Sequence, residues 1–180
     1  MAAGRCRPGD DTDRLLAVAA DQLLIDGREG PAVVAGYPWF GEWSRDTMTS
    51  YEGLVLEIGR AGQGRLLLQR AAASLSEGML ANTTDFGVAE FNTADATLWF
   101  LHAVDQHVAV TGDLDLAASL LDALAEAIEY HMTGTRHGIR STPAVLGIEF
   151  MRGRAELKFR SYAAAASQAA RTAWICSGAG

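Results

Sequence analysis

Helical spacing of apolar residues is the feature that most constrains the fold of this 180-residue chain. Apolar side chains recur three or four positions apart through most of the sequence, and no segment shows the sustained alternation of a half-buried strand. Glycines interrupt the pattern and predict where helices end. The sequence therefore predicts an all-α protein whose helices cover residues 13–26, 44–58, 64–80, 92–112 and 113–132.

The lengths of the connections predict how these helices are arranged. Short glycine-containing connections make successive helices antiparallel neighbours, so a chain of helical hairpins is expected. The connections at 27–43 and 81–91 are long, whereas those at 59–64 and at Gly112 are tight. This alternation places the elaborate loops at one end of the array, where binding sites usually lie.

Composition narrows the class of protein. A hydrophobic content of 49% and a mean hydropathy of +0.06 are typical of a globular domain. No apolar run approaches a membrane span and the N-terminus lacks a signal-peptide core, so a cytoplasmic protein is expected. Cys6 and Cys176 lack metal-ligand spacing. The net charge of −7 argues against nucleic acid or an anionic membrane as the main partner and favours a neutral substrate.

Residues 35–47 read AGYPWFGEWSRDT and combine aromatic rings, carboxylates and a guanidinium in a turn-rich segment. A pyranose offers apolar C–H faces to aromatic rings and vicinal hydroxyls to charged groups, so the segment predicts a sugar site. The alternative is that Ser44 caps a helix, that Asp46 is a helix-start carboxylate and that the aromatic rings are core. The candidate residues of this segment are Trp39, Phe40, Trp43, Arg45 and Asp46.

Together with a second motif at 90–104, EFNTADATLWFLHAV, this segment resembles the C-terminal glucosidase domain of glycogen debranching enzymes. The segment 134–140, GTRHGIR, is similar to a further Gly-Thr-x-x-Gly-Ile pattern of that family. The resemblance covers roughly residues 13–140. It implies a partial (α/α)6 toroid, inverting hydrolysis of α-1,6-linked glucose stubs, glycogen or branched α-glucan as substrate, glucose as product, and no metal or cofactor.

The resemblance assigns binding roles but no catalytic pair. Arg45 and Asp46 would hold the hydroxyls of the non-reducing glucose, with the three aromatic side chains as the pocket wall. Asn92 and Asp95 would flank the pocket, although Asn-x-x-Asp before an apolar helix also resembles a capping arrangement. The remaining candidates are Glu42 and Glu90 as acids by chemistry alone, Trp99 and His102 as core, and His107 and His131 as helix-surface residues.

The resemblance departs after Arg140, where the segments that carry the family's general acid and base are not found. The charge balance also changes there: residues 1–137 hold 20 acids and 9 bases, and residues 138–180 hold 2 acids and 6 bases. We expect a polar tail at 1–12, a partial glucosidase domain at 13–140 and a divergent basic tail at 141–180. A frameshift or a truncated gene would explain this pattern.

Two functions from different classes follow. The first is a debranching glycoside hydrolase represented by its glucose-binding half. The second is a non-catalytic fragment that binds carbohydrate or protein. In either case helices without their neighbours would expose an apolar flank, so self-association is expected.

Overall fold

The computed structural model describes residues 11–83 and 88–140. The predicted basic tail at 141–180 and most of the polar tail at 1–12 lie outside these residues. The elements in chain order are α1 (Asp11–Leu23), β1 (Leu24–Gly27), β2 (Gly30–Gly36), β3 (Phe40–Glu42), α2 (Ser44–Thr49), a π-helical turn (Glu52–Leu56), α3 (Ala61–Ala73), β4 (Leu75–Ser76), β5 (Met79–Leu80), α4 (Asp95–Thr111), α5 (Leu114–Ser119) and α6 (Leu121–Thr133).

The prediction of an all-α fold, a partial (α/α)6 toroid of helical hairpins, is wrong for the described residues. They form a mixed structure in which helices pack with two antiparallel sheets, one ordered β1-β2-β3 and one formed by β4 and β5. In the first sheet Leu24 lies opposite Val33, and Val34 lies opposite Glu42. The connection predicted as a long loop at 27–43 is therefore mostly sheet.

Burial of β2 on both faces explains why its strand pattern was missed. Four consecutive residues from Pro31 to Val34 are buried, so the strand reads as a continuous apolar run without alternation. The β4–β5 hairpin was missed because its strands have two residues each. Glu77 and Gly78 turn that hairpin with φ values of 49° and 77°, a left-handed geometry that glycine adopts freely.

Most predicted helices exist with different bounds. The first ends at Leu23, directly before β1, and the third ends at Ala73 rather than residue 80. The second changes from α-helix to the π-helical turn after Ser50, whose hydroxyl donates to the Asp46 carbonyl oxygen at 2.6 Å. The fourth begins at Asp95, and the fifth is divided at Leu120 into α5 and α6.

The core lies where α2, α3 and α4 meet the sheet. Tyr51, Val55, Leu68, Phe100 and Val104 are fully buried there. The core continues through Leu24 and Val33 of the sheet, Met48, Leu67, Ala71, Leu80, Ala103, Leu116, Leu120 and Leu124. In the part of the chain that the structure describes, no helix combines the length and the apolarity needed to cross a bilayer.

Candidate functional site

The N-terminus of α2 is fixed by the segment that follows β5. The Ser44 N–H donates to the Asn82 carbonyl oxygen at 2.7 Å, and the Ser44 hydroxyl donates to the Ala81 carbonyl oxygen at 2.5 Å. The N-cap residue is Trp43, which makes no side-chain cap. The interpretation of Ser44 as the N-cap is therefore wrong, because its hydroxyl fixes the helix to a neighbouring segment instead.

Arg45 and Asp95 join the two sequence motifs. Arg45 Nε and Nη2 both donate to Asp95 Oδ1, at 3.0 and 2.9 Å. Each residue lies in the first turn of its helix, Arg45 in α2 and Asp95 in α4, and each side chain is about half exposed. The ion pair therefore holds the N-terminal ends of α2 and α4 together at the surface.

Asn82 is the second link between the motifs, and no sequence pattern indicates it. Asn82 Oδ1 accepts from the Arg45 N–H at 3.3 Å, and Asn82 Nδ2 donates to Asn92 Oδ1 at 2.8 Å. Asn92 Nδ2 in turn donates to Glu90 Oε2 at 3.0 Å. One buried amide side chain thus contacts residues of both motifs.

The capping arrangement considered for Asn92 and Asp95 is not formed. The N-cap residue of α4 is Ala94, and no side chain caps this helix. Asn92 and Asp95 use their side chains for Asn82, Glu90 and Arg45 instead. Both residues therefore serve the contact between the motifs rather than the helix end.

Asp46 lies beside Arg45 in the first turn of α2, and it is exposed. Within residues 11–83 and 88–140 its carboxylate has no hydrogen-bond or ion-pair partner. A carboxylate ion accepts hydrogen bonds through both oxygens. Asp46 can therefore accept from hydroxyl groups of a ligand without losing a contact within the chain.

The aromatic candidates lie in the chain segment that directly precedes α2. Trp39 precedes β3 and is 82% exposed, Phe40 begins β3 and is 57% exposed, and Trp43 is partly buried. Trp99, expected in the core, is 40% exposed and contacts His102 edge-on at 5.6 Å between ring centroids. His102 Nε2 lies 2.8 Å from Glu52 Oε1, so this pair is also at the surface.

A cavity of about 110 Å³ lies next to the motif contact but is not lined by the seven predicted binding residues. Ser44 and Asn82 form its boundary with the site, and Glu42 and Arg70 form an ion pair at its wall. Partial burial lowers the pKa of Arg70 below its ordinary value. Glu42, considered as an acid, is therefore held in an ion pair in this structure.

No group of three or more His, Cys, Asp or Glu side chains with the arrangement of a metal site occurs among the described residues. The histidines expected at helix surfaces, His107 and His131, are buried. Tyr51 Oη lies 2.7 Å from His107 Nδ1, and His107 Nε2 lies 3.8 Å from Asp113 Oδ2. These side chains belong to the core rather than to the candidate site.

Comparison with known proteins identifies the family. The chain matches the family model described as amylo-alpha-1,6-glucosidase over residues 17–165. The chain belongs to this family. The glycogen debranching enzyme of Saccharomyces cerevisiae is 30% identical to it over 96 residues, which are 50% of this chain and 6% of the yeast protein. The chain thus spans about 6% of the length of this curated relative.

The resemblance to debranching glucosidases is confirmed by the family match. The match extends past Arg140 to residue 165, into the segment that we expected to diverge. The proposed domain boundary at residue 140 stays a prediction, because the structure describes nothing beyond that residue.

Proposed function

We propose that this chain provides the glucose-binding part of a debranching glucosidase, which removes α-1,6-linked glucose stubs from glycogen or another branched α-glucan. The contact between the two motifs through Arg45 and Asp95 is the observation that carries the proposal. It joins residues that lie 50 positions apart in the sequence and leaves the Asp46 carboxylate available beside them. Membership of the amylo-alpha-1,6-glucosidase family supports the choice of glucose as ligand.

In the proposed complex, charged groups bind the hydroxyls of the terminal glucose and aromatic rings contact its C–H faces. Asp46 accepts hydrogen bonds from two neighbouring hydroxyls, and Arg45, oriented by Asp95, donates to a ring or hydroxyl oxygen. Trp39 and Phe40 have the exposure that stacking on a pyranose requires. Asn92, held by Asn82, borders the same ligand.

We propose further that hydrolysis in the family proceeds with inversion and that this chain alone binds without turnover. Inversion requires a carboxylic acid and a carboxylate base about 6.5–9.5 Å apart, with a water between them and the sugar. In the described residues Glu42 pairs with Arg70, Asp95 pairs with Arg45, and Glu90 accepts from Asn92. Among the carboxylates of the two motifs, Asp46 is therefore the one without a partner in the described residues, and inversion requires two.

Glucose binding by Asp46 variants tests the proposal. Asp46→Ala should weaken the affinity for glucose by about 1–3 kcal/mol, because the ligand hydroxyls lose a charged acceptor. Asp122→Ala is the matched control, since Asp122 is also an exposed carboxylate in the first turn of a helix. Titration calorimetry and thermal melts on both variants separate the two roles. Equal glucose affinity with a lowered melting temperature would show that Asp46 only starts the helix.

Release of glucose from a limit dextrin tests the absence of turnover. The chain should bind glucose and release none, and measurable release would show that it contains a functional acid and base. The full-length relative, tested in parallel, serves as the positive control for the substrate.

The apolar side chains of α1 favour the second candidate function, binding of a protein partner or of a second copy. Leu15, Leu16 and Val18 are 58–70% exposed, and α1 contains no buried residue. Burying them in a contact would remove apolar area from water. Light scattering should therefore show oligomers that Leu16→Glu dissociates. A monodisperse monomer would contradict this candidate.

We also propose that the protein is located in the cytoplasm.

A further inference from the structure

The loop that follows α6 carries two side chains that contact the second motif, and neither has a role in the function proposed above. A tight turn forms this loop: the Gly138 N–H donates to the Thr135 carbonyl oxygen at 2.7 Å, and the Thr135 N–H donates to the Ile139 carbonyl oxygen at 3.0 Å. Gly138 has a φ of 69°, a left-handed conformation that glycine adopts without strain. The turn presents Arg136 and His137 to the segment 90–92.

Arg136 makes contacts on three sides. Its guanidinium carbon lies 4.0 Å from the centre of the Phe91 ring. Nη2 donates to the Ser76 hydroxyl at 2.8 Å, and Nε lies 3.4 Å from Glu77 Oε2. The Arg136 N–H donates to the Glu77 carbonyl oxygen at 3.1 Å. A planar guanidinium can stack on a ring and donate in its own plane at the same time, which an ammonium group cannot do.

His137 completes this contact on the main chain. His137 Nε2 donates to the Phe91 carbonyl oxygen at 2.8 Å. Phe91 is therefore held through its ring by Arg136 and through its backbone by His137. At the start of the segment 90–92, the Asn82 N–H donates to the Glu90 carbonyl oxygen at 2.7 Å. The segment 90–92 lies between two sets of hydrogen bonds, and Asn92 is its last residue.

We propose that Arg136 is a positioning residue of the glucose site, acting through Phe91 to fix Asn92 against Asn82. The inference rests on the function proposed above. Arg136 does not touch the predicted ligand-binding residues, but Phe91, on which it stacks, is the neighbour of Asn92 in the chain. A segment free to shift would carry the Asn92 amide out of reach of Asn82 Nδ2, and small misplacements of a binding group cost affinity.

The experiment uses Arg136→Ala and Arg136→Lys, with Arg60→Ala as the matched control. Arg60 is also a surface arginine in an ion pair, with Asp21, and among the described residues it forms no hydrogen bond or ion pair with either motif. Three measurements are made on each variant: the glucose dissociation constant, the melting temperature, and the side-chain amide resonances of Asn92 by nuclear magnetic resonance. Arg136→Lys keeps the charge and provides a folded variant if Arg136→Ala does not fold.

We expect both Arg136 variants to displace the Asn92 amide resonances and to raise the glucose dissociation constant about tenfold, because a displaced Asn92 amide loses a hydrogen bond to the ligand. Arg60→Ala should change neither. Glucose affinity equal to that of Arg60→Ala, or weaker affinity with unmoved Asn92 resonances, would overturn the inference. If the parent chain binds no glucose, the proposed function fails. Displaced Asn92 resonances would then still support positioning by Arg136, and unmoved ones would overturn it.

Discussion

Two polar networks connect the α2 and α4 regions of this protein, one at the surface and one in the core. We call Arg45 and Asp95 the surface pair and the set Tyr51, His107, Asp113 and Arg65 the buried chain. The surface pair is about half exposed. In the buried chain Tyr51 and His107 are almost fully buried, and Arg65 donates to Asp113 at the outer end.

The networks also differ in whether their carboxylates have hydrogen-bond or ion-pair partners. In the buried chain Asp113 accepts from Arg65 and from the Leu116 N–H, which it caps at the start of α5. Beside the surface pair the Asp46 carboxylate lacks a partner among the described residues. Removing a partner from a buried group leaves a desolvated polar atom, whereas water replaces a partner at the surface. The buried chain should therefore control stability, and the surface pair should control binding.

The largest effect is expected at Gly64 in α3, which makes room for the buried chain. A Cβ atom there would overlap the Tyr51 hydroxyl and lie 2.5 Å from Val55 Cγ1. Gly64→Ala should lower the free energy of unfolding by about 2–3 kcal/mol through overpacking. Gly62→Ala is the matched control: a Cβ there meets nothing within 4 Å, so it should stabilise the helix by about 0.5 kcal/mol. Urea unfolding measures both, and equal effects would contradict this role for Gly64.

Tyr51→Phe should have the next largest effect. It keeps the buried ring and removes only the hydroxyl that lies 2.7 Å from His107 Nδ1. His107 then has a buried nitrogen without a partner, and we expect a loss of about 1–2 kcal/mol in the free energy of unfolding. Tyr37→Phe, on a side chain that is 61% exposed, is the control and should change stability little. A loss as small as the control's would show that water reaches His107.

The pH dependence of stability should reveal the buried chain with a smaller effect. Burial lowers the pKa of His107 below its ordinary value of 6.5, although the Asp113 carboxylate opposes this shift. The unfolded chain takes up the proton first as the pH falls, so stability due to neutral His107 is present above pH 6.5 and is lost below it. Unfolding measured at about pH 7.5 and about pH 5 should show this loss.

Two variants identify the source of that pH dependence. His107→Phe should remove most of the loss between the two pH values, whereas His102→Gln, at a histidine that is only partly buried, should retain it. Burial also raises the pKa of Tyr51, and hydrogen bonds from Arg65 and the Leu116 N–H hold the pKa of Asp113 low against the effect of its own burial. Those two groups act above pH 10.0 and below pH 3.8, outside the interval tested. An unchanged slope in His107→Phe would exclude His107 as the cause.

The residues of the surface pair were easier to single out from sequence than those of the buried chain, although their pairing with each other was not predicted. Arg45, Asp46, Asn92 and Asp95 stand in two motifs whose residue types indicate a sugar site and whose order matches a known family. The buried chain has no such pattern, because His107 lies in an ordinary helical repeat and gains its role only when Tyr51 lies across from it. Spacing alone therefore assigned His107 to the surface, and that assignment was wrong.

The strands and the contacts between distant segments could not be predicted from the sequence, for related reasons. Alternation of apolar and polar residues reveals a strand only when one of its faces is exposed to solvent. The middle of β2 is buried on both faces. Asn82 and Arg136 contact the motifs from positions that follow only from the three-dimensional fold. Helix existence was predictable from periodicity, whereas the change to a π-helical turn after Ser50 depends on local hydrogen bonding.

Asp95→Asn tests most directly whether the surface pair controls binding rather than stability. Of the substitutions considered, it should change stability least, and it should still weaken glucose binding. The substitution keeps the size of the side chain and removes the charge that orients Arg45. Water solvates the half-exposed guanidinium, so the free energy of unfolding should change by at most about 0.5 kcal/mol. Glucose affinity should fall about tenfold, because the Arg45 guanidinium is no longer held in one orientation. Asp21→Asn, which breaks the exposed pair with Arg60, should change neither quantity. If Asp95→Asn destabilised the protein as much as Tyr51→Phe, the surface pair would belong to the framework of the fold, and the separation of binding from stability would fail.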